Sequence, residues 1–443
     1  MYNFVTTLLG GFFVLSVILI WFMIAYQLIL TIAGFFHNWS SWKEKIAIDA
    51  MAHLAKPTVC VLIPAHNEEK VIRRTVEAML KFDYPTDKVE ILVINDGSSD
   101  KTGEIVEELT RLDRRVRCYN VPKGEGGRGK SRALNLGMKQ TDAEIIAVYD
   151  ADNQPLPDAL KYLVAELLLH PDLGAVLGNF RTINKDRTWL TRFISIETLS
   201  FQSILQAGRW KMFKVSTLPG TNFVIWKHLL DDLNGWDEDA ITEDSELSIR
   251  VYMKGYKIKY VPFAVTLEQE PETISVWAKQ RTRWVRGNNY VVTKFFKEIP
   301  QFKNKFLAFE VLYLLSLYYF FLFAIGISDL IFIFSVSQLI AIPLPGPYTT
   351  VWVLAIILFI FEIILVLSYE GLDTFRNFLL VFLMYFTYCQ FWIYVVGRAI
   401  YLDYIKREKR TWSKTVRFEL EEDAIPRNSP STSRKESSTQ PSR

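Results

Sequence analysis

The chain has 443 residues, half of them hydrophobic and 14% aromatic, with a net charge of +3. That length exceeds one ordinary domain core, and the near-balanced charge gives no reason to expect a nucleic-acid partner. Three cysteines, Cys60, Cys118 and Cys389, lie far apart without metal-ligand spacing, which excludes a disulfide framework and fits a reducing compartment.

Residues 4–36 carry no charge and are long enough for a bilayer core, which needs about 20 apolar residues. No Lys or Arg precedes the run and no small-residue cleavage site follows before His37. It reads as a retained transmembrane helix rather than a signal peptide. Further on, 306–342 is apolar apart from Glu310 and Asp329, 350–369 apart from Glu362, and 378–402 apart from Arg398. Lys43, Lys45 and Lys56 follow the first run, and Lys294, Lys297, Lys303 and Lys305 precede the second. By the positive-inside rule they place the intervening block in the cytoplasm. The division is a transmembrane helix over 1–42, a cytosolic domain with interfacial helices over 57–305, transmembrane helices over 306–404 and a basic, polar tail over 405–443. Three C-terminal spans would put that tail outside, whereas the basic run 406–410 predicts it inside. A re-entrant hairpin around Asp329, or one run lying in the interface, reconciles the two.

Within the soluble block, 58–64 is an apolar run stopped by Pro64, as in a buried strand. Helical spacing follows over 68–82 (Val71, Ile72, Val76, Met79, Leu80). A second buried strand over 90–94 ends in a turn over 95–100, and a helix runs on to Leu112. A strand over 116–121, a helix over 129–138 and a strand over 144–149 complete the pattern. Strands alternating with helices predict a doubly wound, mostly parallel α/β sheet. Ligands bind such sheets at the carboxyl ends of the strands, where the polar clusters of this chain fall.

The first cluster, Pro64-Ala65-His66-Asn67-Glu68-Glu69, sits between strand and helix and is either a nucleotide contact or a helix start. In Asn95-Asp96-Gly97-Ser98-Ser99-Asp100, Asp96 can accept hydrogen bonds from a ribose or base, or the segment is an Asx turn before the next helix. The glycine-rich run 123–132 suits a diphosphate near Lys130. It also matches the spacing of a nucleotide-hydrolysing P-loop over 124–131, and a solvated surface loop is the plain alternative. Asp150-Ala151-Asp152 follows a buried strand with both carboxylates on one side of the chain. Paired acids repel unless a cation compensates, so they either share Mg2+ or Mn2+ with substrate phosphates or are plain turn acids before Asn153-Gln154-Pro155. Thr242-Glu243-Asp244 opens a helix, as an N-cap or as a general base. Gln280-Arg281-Thr282-Arg283-Trp284 lies in an amphipathic stretch over 273–296. That stretch is either wholly interfacial or turned partly inward, with Arg283 on a phosphate and Trp284 against a sugar ring.

Taken in order, these segments resemble the processive family 2 membrane glycosyltransferases, a group that includes poly-N-acetylglucosamine, hyaluronan and cellulose synthases. The resemblance runs from about Thr58 to Gly287 and assigns Lys130 to the family's own lysine motif rather than to a P-loop. It implies a GT-A-type nucleotide-sugar domain joined to transmembrane α-helices at the plasma membrane. It further implies an inverting transferase that elongates an extracellular polysaccharide from a UDP-sugar, UDP-N-acetylglucosamine in the subgroup of similar size. By that resemblance Ala65, Glu68 and Asp96 line the nucleotide pocket, and Lys130 and Asp150 bind the donor. Asp152, helped by Asp150, holds Mg2+ or Mn2+, and Asp244 is the catalytic base. Glu243, Gln280, Arg283 and Trp284 hold the diphosphate and acceptor. The implied partners are the UDP-sugar, a growing glycan or lipid acceptor, the bilayer and accessory export proteins, with no nucleic acid. A glycine-rich insert over 124–129 lengthens the loop before Lys130 and puts its reach in question. The segment 411–415 bears a faint likeness to the gating loop of cellulose synthase, which favours a cytosolic tail. Glycosylation of a membrane lipid such as diacylglycerol is the alternative enzyme reading. A nucleotide-driven transporter or nucleotide-sugar sensor rests on the P-loop spacing alone.

Overall fold

A computed structural model describes residues 2–51, 56–122, 124–302, 305–337, 347–410 and 417–418. The segment 411–415 lies outside them. The leading helix α1 (Tyr2–Asp49) continues past residue 42 because its last turn is anchored. Asp49 accepts hydrogen bonds from Lys45, Lys161 and Tyr162, which fasten the helix end to the soluble block.

The block is built on β1 (Val59–Ala65), β2 (Val89–Asn95), β3 (Val116–Asn120) and β4 (Ile145–Val148). Then come β5 (Gln154–Pro155), β6 (Leu173–Thr182), β7 (Phe223–Trp226) and β8 (Lys257–Glu268). They form one eight-stranded sheet in the order β3-β2-β1-β4-β7-β6-β8-β5. β1 is parallel to both β2 and β4, as expected of apolar runs buried on both faces, and β2 is parallel to the more exposed edge strand β3. Antiparallel β7 then separates β4 from β6, so the sheet is mixed beyond β4. The predicted helices appear as α2 (Ile72–Met79), α3 (Thr102–Leu112) and α4 (Lys130–Met138), with α5 (Ala159–Leu169) beyond them. The turn after β2 leads into α3 without a side-chain cap on its N-cap residue. Lys101 is its N-cap, while Asp100 Oδ1 accepts from Thr102 N at 3.0 Å just inside.

Between the sheet and the long apolar helices lies α6 (Trp189–Ser200), which passes through a π-type turn over Phe201–Gln206 into α7 (Ala207–Phe213). The turn is tied to β6 by Gln202, whose side-chain amide both donates to the Phe180 carbonyl at 2.6 Å and accepts from its N–H at 2.8 Å. α8 (Lys227–Asp232) and α9 (Glu243–Met253) precede β8, and α10 (Ile274–Phe295) follows it. α10 is turned inward: Trp277, Arg281 and Val285 are buried, which removes the wholly interfacial reading.

α11 (Lys305–Val336), α12 (Tyr348–Tyr369), α13 (Phe375–Phe386) and α14 (Tyr388–Ile400) follow, the last running into a π-type turn over Tyr401–Ile405. Among the described residues three helices are long and apolar enough to cross a membrane, namely Thr7–Asp49, Thr350–Tyr369 and Phe375–Ile405. A fourth is added if α11, bent by 53° between Lys305–Tyr313 and Ser316–Ile331, is one span. The expected hairpin around Asp329 is not formed. α11 runs straight through that residue, because its carboxylate bonds sideways to Gln390 and Trp352 instead of needing a turn. Ile18, Ile29, Ile32 and Phe36 of α1 stand half exposed, a surface suited to lipid.

α1 and α7 meet backbone to backbone. A Cβ on Gly34 would lie 2.1 Å from the Ser203 carbonyl oxygen, and one on Gly208 would lie 2.3 Å from that of Leu30. Gly34→Ala is therefore expected to lose about 1–3 kcal/mol in denaturant unfolding of the detergent-solubilised protein. Gly11→Ala, with nothing within 4 Å of the added carbon, should stay within about 0.5 kcal/mol of the parent.

Candidate functional site

Parallel neighbours β2, β1 and β4 open their carboxyl ends along one edge, so the three loops that follow them meet. Ala65 ends β1, and its carbonyl accepts the Asp96 N–H at 2.8 Å. Glu68 lines the same cavity, and its backbone N–H donates to Thr102 Oγ1 at 2.7 Å. Asp96 is buried, and its Oδ1 accepts the N–H of Gly127 at 3.0 Å. His66 Nδ1 lies 2.7 Å from the Asp96 carbonyl. The glycine-rich loop is thereby folded back onto the turn after β2 and is not a detached surface loop.

That loop delivers Lys130 to the first position of α4. Its Nζ donates to Asp150 Oδ1 at 2.6 Å and to the Gly220 carbonyl at 2.7 Å, and it lies 3.4 Å from Glu243 Oε1. The inserted glycines therefore do not prevent its reach. Burial would lower the Lys130 pKa, but Asp150 and Glu243 outweigh it and hold the ammonium well above its ordinary value. Asp150 is oriented by its own N–H, which donates to Asn153 Oδ1 at 3.1 Å and Thr221 Oγ1 at 3.0 Å. Asp152 Oδ1 pairs with Arg417 Nη2 at 2.9 Å, and Oδ2 accepts the Gln269 N–H at 3.1 Å. Burial raises the Asp152 pKa, with Arg417 opposing.

Glu243 and Asp244 open α9, facing Lys130. Asp244 Oδ1 accepts the Ser245 N–H at 2.6 Å. Burial and then Glu243 push its pKa up to about 7, against the pull of Lys130. Only glycine fits opposite it. Gly220 has φ +84°, and a Cβ there would lie 2.9 Å from Asp244 Oδ2. From α10, Gln280, Arg283 and Trp284 line the cavity. Gln280 Oε1 and Arg283 Nε are buried without a hydrogen-bond partner among the described residues. Burial lowers the Arg283 pKa, while Glu243, Asp150 and Asp244 oppose it.

Every predicted site residue thus lines one cavity of about 600 Å³. The cavity does not stop at the soluble domain. It continues past Trp284 to Tyr318 and Phe321 of α11, Phe359 of α12 and Trp392 of α14. Sequence reasoning missed Arg417, Glu268, Glu270 and Glu197, all of which line it. The acids flanking Gln269 after β8 and the lone carboxylate in an apolar helix were signals for the last three. Nothing local marks Arg417. Burial pushes Glu270 up to about 7 and Glu268 well above the usual carboxylate range, each with acidic neighbours adding to it.

The acids offer a metal oxygen donors only. No set of three His, Cys, Asp or Glu side chains among the described residues could hold an ion. Asp150 and Asp152 already face Lys130 and Arg417, so an ion bound there would share these carboxylates with the two cations or displace them. This donor set fits Mg2+ or Mn2+, which bind through one or two carboxylates when substrate phosphates supply other ligands.

Residues 57–287 match the family described as "Glycosyltransferase like family 2". The chain is 44% identical over 416 residues to the Bacillus subtilis protein named "Probable glycosyltransferase YdaM", covering 92% of this chain and 97% of that one. It is 32% identical over 291 residues to the poly-beta-1,6-N-acetyl-D-glucosamine synthase of Staphylococcus epidermidis, covering 66% and 68%. Among solved structures, a mannosyltransferase from Pyrobaculum calidifontis in complex with GDP-Man and Mn2+ superposes with a TM-score of 0.58. It is 21% identical and covers 86% of this chain and 99% of that one, a likeness of fold.

Proposed function

The chain belongs to the family 2 glycosyltransferases, and from that membership we propose an inverting membrane transferase that adds sugars from a UDP-sugar to a growing extracellular polysaccharide. The donor proposed is UDP-N-acetylglucosamine, in line with the staphylococcal relative's name. The observation that carries the reading is the continuous cavity. Donor-side groups line one end and aromatic side chains of α11, α12 and α14 the other, so an acceptor can extend from the reacting centre into the membrane domain. The catalytic block is placed on the cytoplasmic face, and the product leaves through the membrane domain, with accessory export proteins as partners.

In this reading Ala65, Glu68 and Asp96 hold the uridine. Lys130, Gln280 and Arg283 hold the diphosphate, and Trp284 carries the terminal acceptor sugar. Asp152 with Asp150 would bind Mg2+ or Mn2+, which when bound neutralises charge on the departing diphosphate. The acceptor hydroxyl attacks the anomeric carbon as the bond to the diphosphate oxygen breaks, and Asp244 takes the hydroxyl proton. A single displacement inverts the anomeric centre and needs no covalent enzyme intermediate.

One observation favours the lipid acceptor as a second reading. The membrane end of the cavity is lined by Leu317, Phe321, Ile363 and Met384, side chains that suit an acyl chain as well as a glycan's apolar faces. Purified protein given radiolabelled UDP-N-acetylglucosamine separates the two. A metal-dependent long polymer supports the first reading, and a single-sugar lipid overturns it.

Asp244→Asn should lower transfer about 10²- to 10⁴-fold while UDP binding by calorimetry stays within about twofold. Full turnover in that variant would remove the base assignment. Because the Asp244 pKa is raised to about 7, the base form is lost as pH falls through 7. The transfer rate of the parent should therefore climb between pH 6 and 8, a limb that no longer shows in the residual activity of the Asn variant. Arg417→Ala removes the guanidinium 2.9 Å from Asp152. Binding of Mn2+, followed by electron paramagnetic resonance, should tighten roughly tenfold, equal to about 1.4 kcal/mol of removed competition.

A further inference from the structure

Trp284 is held from behind. The Arg281 guanidinium lies over its ring at 3.9 Å, and Arg281 itself is 1% exposed. Arg281 Nη2 donates to Glu197 Oε2 at 2.7 Å. The same oxygen accepts the Tyr388 hydroxyl at 2.8 Å, and Glu197 Oε1 accepts Trp392 Nε1 at 2.9 Å. Trp277 Nε1 donates to the Tyr388 hydroxyl at 2.9 Å and completes the set. Glu197 belongs to α6, Trp277, Arg281 and Trp284 to α10, and Tyr388 and Trp392 to α14. One carboxylate therefore joins the helix bearing the transferase motif to an interfacial helix and to a membrane helix.

The chemistry makes the carboxylate hard to replace. A buried guanidinium needs a counter-charge, and Glu197 is the partner it bonds. Donors converge on Glu197 from fixed directions, two of them indole or phenol groups with few rotamers, so its position is narrowly set. A planar guanidinium stacked on an indole passes that order to Trp284, which a flexible lysine could not do. Arg281 Nε and Nη1 make no hydrogen bond among the described residues, so its anchoring depends on Glu197.

We propose that Glu197 is a positioning residue of the acceptor site, acting through Arg281 to hold Trp284 against the acceptor sugar and to set its orientation from α14. This rests on Trp284 being the acceptor platform, as read above. Glu197 touches neither donor nor acceptor atoms in this scheme, and nothing on the donor side depends on it.

The test uses full-length protein in detergent with UDP-N-acetylglucosamine and a short N-acetylglucosamine oligosaccharide as acceptor. Glu197→Gln keeps the shape of the side chain but removes the charge that faces Arg281. The acceptor KM should rise roughly ten- to a hundredfold, while UDP binding and the slow hydrolysis of donor by water stay at parent values. Trp284→Ala should raise the same constant, and the double variant should be little worse than Trp284→Ala alone, as expected when two residues act through one contact. Tyr388→Phe, which withdraws one hydrogen bond from Glu197 and leaves its charge, should give a smaller rise in the same direction. An unchanged acceptor KM in Glu197→Gln overturns the proposal. So does a parallel fall of transfer, hydrolysis and UDP binding, which would mark general damage. If Trp284→Ala leaves the acceptor KM unchanged while donor is still consumed, the platform reading fails and takes the proposal with it. If the parent consumes no UDP-sugar at all, the donor assignment fails first.

Discussion

Carboxylates crowd the ends of the parallel strands, and the site can exist only because cations answer them. Asp150 and Asp152 follow β4, Glu243 and Asp244 open α9, and Glu268 and Glu270 flank the end of β8. Burying so much like charge uncompensated would cost several kcal/mol per ion. Lys130 takes the positions between Asp150 and Glu243, and Arg417 takes Asp152. The arrangement explains the fold as much as the chemistry. The glycine-rich loop must bend back for Lys130 to open α4 in the right place, and Gly220 must lack a side chain for that lysine and Asp244 to share one space.

The balance is incomplete, and the imbalance is useful. Asp244 receives only part of the compensation that Lys130 gives Asp150, so burial and Glu243 leave it titrating near neutrality. A carboxyl in that state can accept a proton at working pH better than one held far below it. Asp150 is instead in direct contact with Lys130, whose Nζ donates to its Oδ1 at 2.6 Å.

Much of this was legible in the chain. The unbroken apolar runs became β1, β2 and β4 because a strand buried on both faces can contain little else. Asp96, Lys130, Asp150, Asp152 and Asp244 could be singled out because each sits just after a strand or at the start of a helix, and Trp284 because it closes the Gln280–Trp284 motif; one cavity collects all six. What escaped was set by contacts between distant segments. Antiparallel β7 is a four-residue strand with no signal separating it from a buried helix turn. Arg417 reaches Asp152 from far along the sequence, and Glu197 finds Arg281 only after α6 and α10 pack. The hairpin expected at Asp329 failed for the same reason. A polar residue in an apolar run looks like a turn until its partners on other helices are known.

The membrane helices are more than an anchor. Arg209 of α7 pairs with Glu310 of α11 at 3.1 Å with both side chains almost fully buried, and Tyr26 of α1 also donates to Glu310. Buried ion pairs add little net stability but fix geometry strongly, since breaking one strands a charge. This pair sits where the interfacial helix meets the first and second apolar segments, close to the backbone contacts of Gly34 and Gly208. Together they tie α7, next to the soluble block, to α1 and α11 of the bundle. A rigid joint is what a continuous cavity requires. One end of the cavity is lined by residues that follow strands of the soluble sheet and the other by side chains of α11, α12 and α14, so a small slip between the two would break its continuity. Such misplacement can cost two orders of magnitude in rate. The chain therefore spends polar residues inside its apolar segments where alignment, rather than anchoring, needs them.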